Sequence, residues 1–326
     1  MVTIQEIAKI AGVAKSTVSR YLNGGSVSLA TKQKLEKVIE ENNYIPNSFA
    51  QSLKARITNL IGVVVPRLDS YSASRTMIGI DEQLRALNLN MIISNSNLSI
   101  EREIENIYSL AKQKVAGIIL LATEITQTHI EVFKKINVPV LVVGQEHEHI
   151  HCLIHNDSKA AYELGKFVVS RNHKRVAFLG VTEKDIAVGI KRKEGLKKAI
   201  LENSNCIIKC YESSFSSEQS KLTAEKIICD FYPSIIICAT DNMALGVMKA
   251  AYEKGLSIPN DLSIAAFGGY SLSEHTSPGL TTVKFHYQQA GHIAAKKIND
   301  LIKRKKVEMC TTLDFELLIR ESVDKI

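Results

Sequence analysis

From Leu60 onward, short apolar runs alternate with amphipathic stretches at helical spacing, and this rhythm limits the fold more than anything else in the chain. The runs fall at 60–65, 91–94, 117–122, 138–143, 175–181, 207–211, 234–238, 262–267 and 281–285. Between and after them, helical periodicity fills 74–87, 101–112, 128–135, 158–171, 190–202, 217–229, 242–254 and 288–302. Strands that are apolar on both faces and joined by helical crossovers predict parallel α/β sheets. Nine strands in 268 residues exceed one comfortable core, so two lobes are expected. A tenth run, 313–318, follows the last helix and should return to one lobe as an edge. The expected division is a first lobe of 59–157 plus 288–326 and a second lobe of 158–287.

The first 58 residues read differently. They hold eight basic side chains against four acidic ones, so more than half of the total net charge of +7 sits on this short head. A basic head on a near-neutral body points to a polyanion as partner of the head alone. Thr3 with Glu6 three residues later forms a capping box, and Ile4, Ile7, Ala8 and Ala11 follow at helical spacing. Gly12 suits a tight turn. A second helix over about 14–22 buries Val18 and Leu22, and a third, capped by Ser28, buries Leu35, Val38 and Ile39. Small Ala8, the turn at Gly12 and the packing valine at 18 follow helix-turn-helix logic. Such a unit frees the outer face of its second helix to enter a major groove. Lys15, Ser16, Ser19 and Arg20 lie on that face, with Thr17 beside them; long cationic donors suit guanine acceptors, and small hydroxyls suit phosphates. The head is thus assigned to 1–45, and 46–58 reads as a hinge or linker with too little apolar surface to fold alone.

The run V-A-K-S-T-V-S-R-Y-L-N at 13–23 resembles the LacI/GalR repressor signature V-S-x-x-T-V-S-R-x-L-N, and N-Y-I-P-N at 43–47 with A-x-S-L-K after it resembles that family's hinge. The resemblance runs to Ile326. Within the family it is strongest toward sucrose-type and trehalose-type operon repressors, through V-P-R-L-D-S at 65–70 and F-L-G-V-T-E-K-D at 178–185. It implies a two-lobed body like that of periplasmic sugar-binding proteins, and it implies roles in the head. Lys15, Ser16 and Arg20 would read bases, while Thr3, Thr17, Ser19 and Asn23 would contact phosphates. Ala14 departs from the usual serine. Leu53 matches the hinge leucine wedged into a minor-groove base step, with Ala50 the small residue beside it. Such a wedge bends the site at a cost of roughly a few kcal/mol. Two heads on a two-fold axis would read pseudo-palindromic operator DNA. The leucine-heptad helix of the family's tetramers is not seen before Ile326, so a homodimer is expected.

Parallel α/β lobes bind ligands past their strand ends, in a shared crevice. Arg67, Asp69 and Ser70 follow the first strand, Gln145 follows the fourth, and Asp185 and Arg192 flank the loop after the strand ending at Val181. Thr240 and Asp241 stand where a strand meets a helix, and Asp241 can equally act as that helix's cap. The resemblance makes Arg192, in R-K-E-G, the residue that grips the effector, and places Phe215 over a sugar ring. Where many relatives carry a ligand-binding aspartate after the strand at 262–267, this chain has Gly268-Gly269. Losing that carboxylate while keeping Arg67 and Arg192 predicts a cationic pocket suited to a sugar phosphate, sucrose 6-phosphate first, acting as inducer. A catabolite regulator of the same fold, with a phosphorylated carrier protein as partner, is the alternative.

Other classes fit less well. The longest apolar runs fall short of the ~20 residues that span a bilayer, and the N-terminal stretch, broken by Glu6 and Lys9, is no secretory signal. Six cysteines without a C-x-x-C pair suit reduced thiols in a cytoplasmic protein. No nucleophile elbow, phosphate loop or dinucleotide fingerprint is present, which argues against an enzyme and against a bound cofactor. His147, His149, His151 and His155 recur at period two, so one face could hold a metal ion; an exposed connection into the next strand is the competing reading, and no metal is expected.

Overall fold

The computed structural model describes residues 2–22, 25–44, 58–203 and 205–326. The chain divides into two units, Met1–Thr58 and Asn59–Ile326. The expected hinge, Thr58 apart, lies outside the described residues, as do Asn23, Ala50 and Leu53.

Among its described residues the head holds three helices: α1 (Ile4–Ile10), α2 (Lys15–Leu22) and α3 (Leu29–Glu41). The Thr3 backbone N–H donates to Glu6 at 2.7 Å while the Thr3 hydroxyl accepts from the Glu6 N–H at 3.3 Å, so the capping box is complete. Gly12 turns the chain at φ +59°, a conformation that favours glycine. The core is small: Ile7, Ala8, Ala11, Val18, Leu35 and Val38 are its buried members.

The larger unit holds two six-stranded sheets. The first contains β1 (Leu60–Val65), β2 (Asn90–Asn95), β3 (Gly117–Leu121), β4 (Val140–Val143), β5 (Cys152–His155) and β11 (Cys310–Leu313), all parallel, in the order β11-β5-β4-β3-β1-β2. Alternation along β1 fills both faces. Ile61, Val63 and Val65 pack with α4 (Tyr71–Ala86) and α11 (Tyr287–Ile302), whereas Val64 packs with α5 (Ile100–Lys112) and α6 (Gln127–Lys135). Gly79 and Gly291 let α4 and α11 touch backbone to backbone: a Cβ on Gly79 would lie 2.0 Å from the Gln288 carbonyl oxygen, and one on Gly291 2.1 Å from that of Thr76.

The second sheet contains β6 (Arg175–Gly180), β7 (Ile207–Glu212), β8 (Ile235–Cys238), β9 (Ser263–Gly268), β10 (Thr281–Phe285) and β12 (Phe315–Leu318). It runs β12-β10-β9-β8-β6-β7, with only β12 antiparallel to its neighbour. The helix pairs α7 (Asp157–Ser170) with α8 (Arg192–Leu201), and α9 (Ser217–Phe231) with α10 (Asp241–Glu253), share one core with its strands.

Two expectations need correction. The histidine tract hides a strand: β5 lies inside it, with Cys152, Leu153 and Ile154 buried. The tail does not stay in the first lobe as the 288–326 assignment supposed. The run at 313–318 breaks at Asp314. β11 extends the first sheet beside β5, and β12 pairs with β10 in the second. The Ser322 hydroxyl donates to the Ile264 carbonyl, and Val323 joins the second core, so 315–326 belong to the second lobe. A period-two run fits the edge of either sheet equally well, and its sequence does not choose between them. The chain therefore passes between lobes near the two expected points, at 156 and 286, and a third time at 314.

Candidate DNA-reading helix and ligand cavity

On α2 the buried anchor is Val18, which holds the helix against α1. Lys15, Ser16 and Arg20 are exposed, Thr17 and Ser19 half-buried. No carboxylate among the described residues pairs with Lys15 or Arg20, although Lys32 and Lys37 on α3 face Glu36 and Glu41. The cations on the outer face of α2 are thus uncommitted, as a phosphate- or base-reading surface requires. Thr3 differs: its hydroxyl both accepts from and donates to Glu6.

In the larger unit, the strand C-termini and the N-termini of α4, α7, α9 and α10 meet at a crevice. Ser70, Asn156, Ser216 and Thr240 cap these four helices with their side chains. The crevice is a cavity of about 1000 Å³, and all nine residues singled out in the body line it: Arg67, Asp69, Ser70, Gln145, Asp185, Arg192, Phe215, Thr240 and Asp241. Its volume is at the upper end of small-molecule sites.

Arg192 is held where it can serve a ligand only through its remaining donors. Its Nε donates to Asp157 at 2.7 Å and its Nη1 to the Ala239 carbonyl at 2.6 Å, while the guanidinium lies over the Phe285 and Phe267 rings. The glycine of R-K-E-G has a packing role: a Cβ on Gly195 would meet the Ser158 carbonyl oxygen at 2.4 Å, so its absence lets α8 lie against α7. Asp241 is not the cap of α10. Thr240 caps it, and the Asp241 carboxylate accepts from the Tyr270 N–H at 2.6 Å and from the Thr282 hydroxyl. Burial pushes Asp241 up to about 6 although both hydrogen bonds pull it down. Asp185 accepts from the Val188 N–H at 3.0 Å, capping a π-helical turn at Ile186–Lys191; burial pushes it up to about 6 as well. Gln145, two residues past β4, is buried and lines the cavity.

Several contacts cross the crevice. The Arg67 guanidinium lies 4.7 Å from the Phe215 ring centroid. Tyr71 stacks on Tyr270 at 4.0 Å and accepts at its hydroxyl from the Ser271 N–H. Lys191 pairs with Glu146 at 2.7 Å.

The expectation of a cationic pocket fails. Asp69, Asp157, Asp185, Glu212 and Asp241 line it beside only two guanidinium groups, Arg67 and Arg192. Gly268 and Gly269 do more than omit a carboxylate. At φ +141° and +65° they fold the chain so that Tyr270 enters the cavity. Sequence reading missed Tyr71, His155, Asp157, Tyr270 and Tyr287. Tyr71 and Tyr270 stand just past strand ends, where the rule that found Arg67 also applies. His155 and Asp157 were hidden because β5 was not recognised.

Comparisons agree with this geometry. A family model described as "Bacterial regulatory proteins, lacI family" matches residues 3–47, and one for a periplasmic binding protein-like domain matches 166–323. The sucrose operon repressor of Staphylococcus xylosus is 42% identical over 97% of this chain and 98% of its own length. The chain belongs to the lacI family. It is accordingly a DNA-binding transcriptional repressor. Catabolite control protein A of Priestia megaterium, another relative, is 29% identical over 94% of each chain. Among solved structures, a lac repressor dimer bound to operator and the anti-inducer ONPF superposes with a TM-score of 0.92 at 26% identity, covering 99% of each chain. As in that family, the head carries the helix-turn-helix and the body the two-lobed ligand-binding fold. No helix among the described residues is long and apolar enough to cross a membrane.

Proposed function

We propose that this repressor controls a sucrose-utilisation operon and leaves its operator when a sucrose-class sugar occupies the cavity. The observation that carries the proposal is the convergence of carboxylates, guanidinium groups, an amide and aromatic rings from both lobes on one cavity, in a chain 42% identical to a sucrose operon repressor. Carboxylates and guanidinium groups suit sugar hydroxyls as bidentate partners, and Phe215, Tyr71 and Tyr270 offer ring faces to the apolar side of a pyranose.

The effector is sucrose 6-phosphate, with its phosphate at the Arg67 end of the cavity. Arg192 is neutralised by Asp157, whereas the ion-pair partner of Arg67 is Asp69, at 3.3 Å and largely exposed. The Ser70 and Ser72 hydroxyls and the positive end of α4 lie at the same wall. The sugar hydroxyls then face the carboxylates. No cofactor is required.

The protein acts in the cytoplasm as a homodimer on pseudo-palindromic DNA. Lys15, Ser16 and Arg20 read bases, and Thr3, Thr17, Ser19 and Asn23 contact phosphates. Leu53 with Ala50 forms the minor-groove wedge. Sugar binding draws the lobes together about their three crossings and biases the hinge away from its DNA-bound state. A coupling of ~1–3 kcal/mol weakens operator binding about 5- to 150-fold. Isothermal titration calorimetry of the full chain tests the ligand. Sucrose 6-phosphate should bind and sucrose bind more weakly; equal or tighter binding of free sucrose removes the phosphate from the proposal, and binding of neither removes the sugar.

A further inference from the structure

We propose that His155 is a specificity-determining residue of the cavity, exchanging hydrogen bonds with a hydroxyl of the bound sugar. The proposal rests on the reading of the cavity as a sugar site and adds a contact that the family signature does not pick out.

His155 is the last residue of β5, immediately before the first crossing between lobes, and its side chain lines the cavity. Its ring is wedged between Phe285 and Tyr287, which flank the second crossing, with centroid separations of 5.1 and 5.3 Å. Neither ring nitrogen has a hydrogen-bond partner among the described residues. Nδ1 is the one buried side-chain nitrogen or oxygen there that is left without one. A histidine kept for structure bonds at least one nitrogen, as His173 does to Ser234 and Asp324 and His129 does to Thr126 and Glu103. Buried polar groups are paired as a rule, so an exception at the wall of a ligand cavity points to a partner that arrives with the ligand.

The chemistry of that partner follows from the ring's charge. Burial holds His155 down to about 4; Asp157 opposes this, while Arg192 and His286 favour the neutral form. The imidazole is therefore neutral at physiological pH, with one N–H donor and one lone-pair acceptor. A sugar hydroxyl also offers one donor and acceptor lone pairs. A phosphate without protons offers acceptors alone and would use half of the ring. His155 thus belongs to the hydroxyl-reading side of the cavity. Because it sits at a crossing, a sugar bonded to it is fixed at the pivot about which the lobes close.

The test compares full-length wild type, His155→Phe and His155→Gln by calorimetry with sucrose and sucrose 6-phosphate at pH 7.5, alongside thermal unfolding without sugar. Phenylalanine keeps the aromatic wedge and removes both nitrogens; glutamine restores a donor and an acceptor. The tighter-binding sugar should lose on the order of 3- to 10-fold in affinity in H155F, with a substantial part regained in H155Q. The melting temperature of H155F should be unchanged or higher, because no bond within the chain is lost. Wild-type affinity in H155F overturns the proposal. A fall in melting temperature of more than about 3 °C makes His155 a structural residue and overturns it as well. If wild type binds neither sugar, the sugar reading fails on its own, and the sugar-free unfolding comparison still decides whether the imidazole is held for structure.

Discussion

The head and the body place their polar side chains in opposite ways. Among the described residues of the head, six buried side chains hold three helices together, and the long cations of α2 stand exposed with no carboxylate partner. In the body, the buried charged groups Arg192 and Asp241 are paired, Arg192 to Asp157 and Asp241 to Tyr270 and Thr282. A surface that reads a highly charged duplex gains from cations that nothing else neutralises. A cavity that reads a small polar molecule gains from groups fixed in advance, since a buried polar group left loose or unpaired is costly. Stability in the head should therefore depend on apolar packing, and in the body on polar pairing.

The largest expected effect breaks the pairing. Arg192→Met leaves the Asp157 carboxylate buried without its partner and should cost about 3–5 kcal/mol of body stability. Urea unfolding would show it, and Arg192→Met with Asp157→Asn should recover much of the loss. Next, Leu35→Ala empties part of the small head core and should cost about 3 kcal/mol. Operator shifts should disappear at wild-type concentrations while calorimetric sugar binding by the body stays near wild type; loss of both would dissolve the contrast between the units. Arg20→Ala should fold normally and weaken binding to its operator by about 1–3 kcal/mol, measured by fluorescence anisotropy at fixed salt. If it weakens all sequences equally, Arg20 is a phosphate contact and not a base reader.

The smallest effect concerns pH. Burial pushes His173 down to about 4 although Asp324 pulls it up. Its folded pKa is below the unfolded value near 6.5, so the stability it contributes is fully present above about 6.5 and is lost as pH falls toward 4. Calorimetric melting temperatures should drop less between pH 7 and pH 5 in His173→Asn than in wild type. Asp185 and Asp241, raised to about 6, act with the opposite sign but equally in both proteins and cancel in the comparison.

Legibility followed the same division. Val18, Gly12 and the Thr3–Glu6 box could be read because their partners lie a few residues away, where periodicity and capping rules apply. Arg67, Gln145 and Thr240 were found because each follows a strand read correctly, whereas Phe215 came from the family resemblance. Asp157 and His155 escaped because four histidines in nine residues masked the apolar pattern of Cys152–His155, which becomes a strand through pairing with 140–143 and 310–313 and is buried by the helices on either face of the sheet.

By itself the sequence determined the two sheets, the helix-turn-helix and which loops would meet at the crevice, because local periodicity and strand polarity are written in consecutive residues. Only the tertiary structure decided which lobe receives the tail, which carboxylate neutralises Arg192 and what charge the cavity carries. Those depend on residues far apart in the chain being brought into contact, Arg192 with Asp157 across 35 positions and Cys310 with Cys152 across 158, and the energy of a buried charge is set by its neighbours in space rather than along the chain.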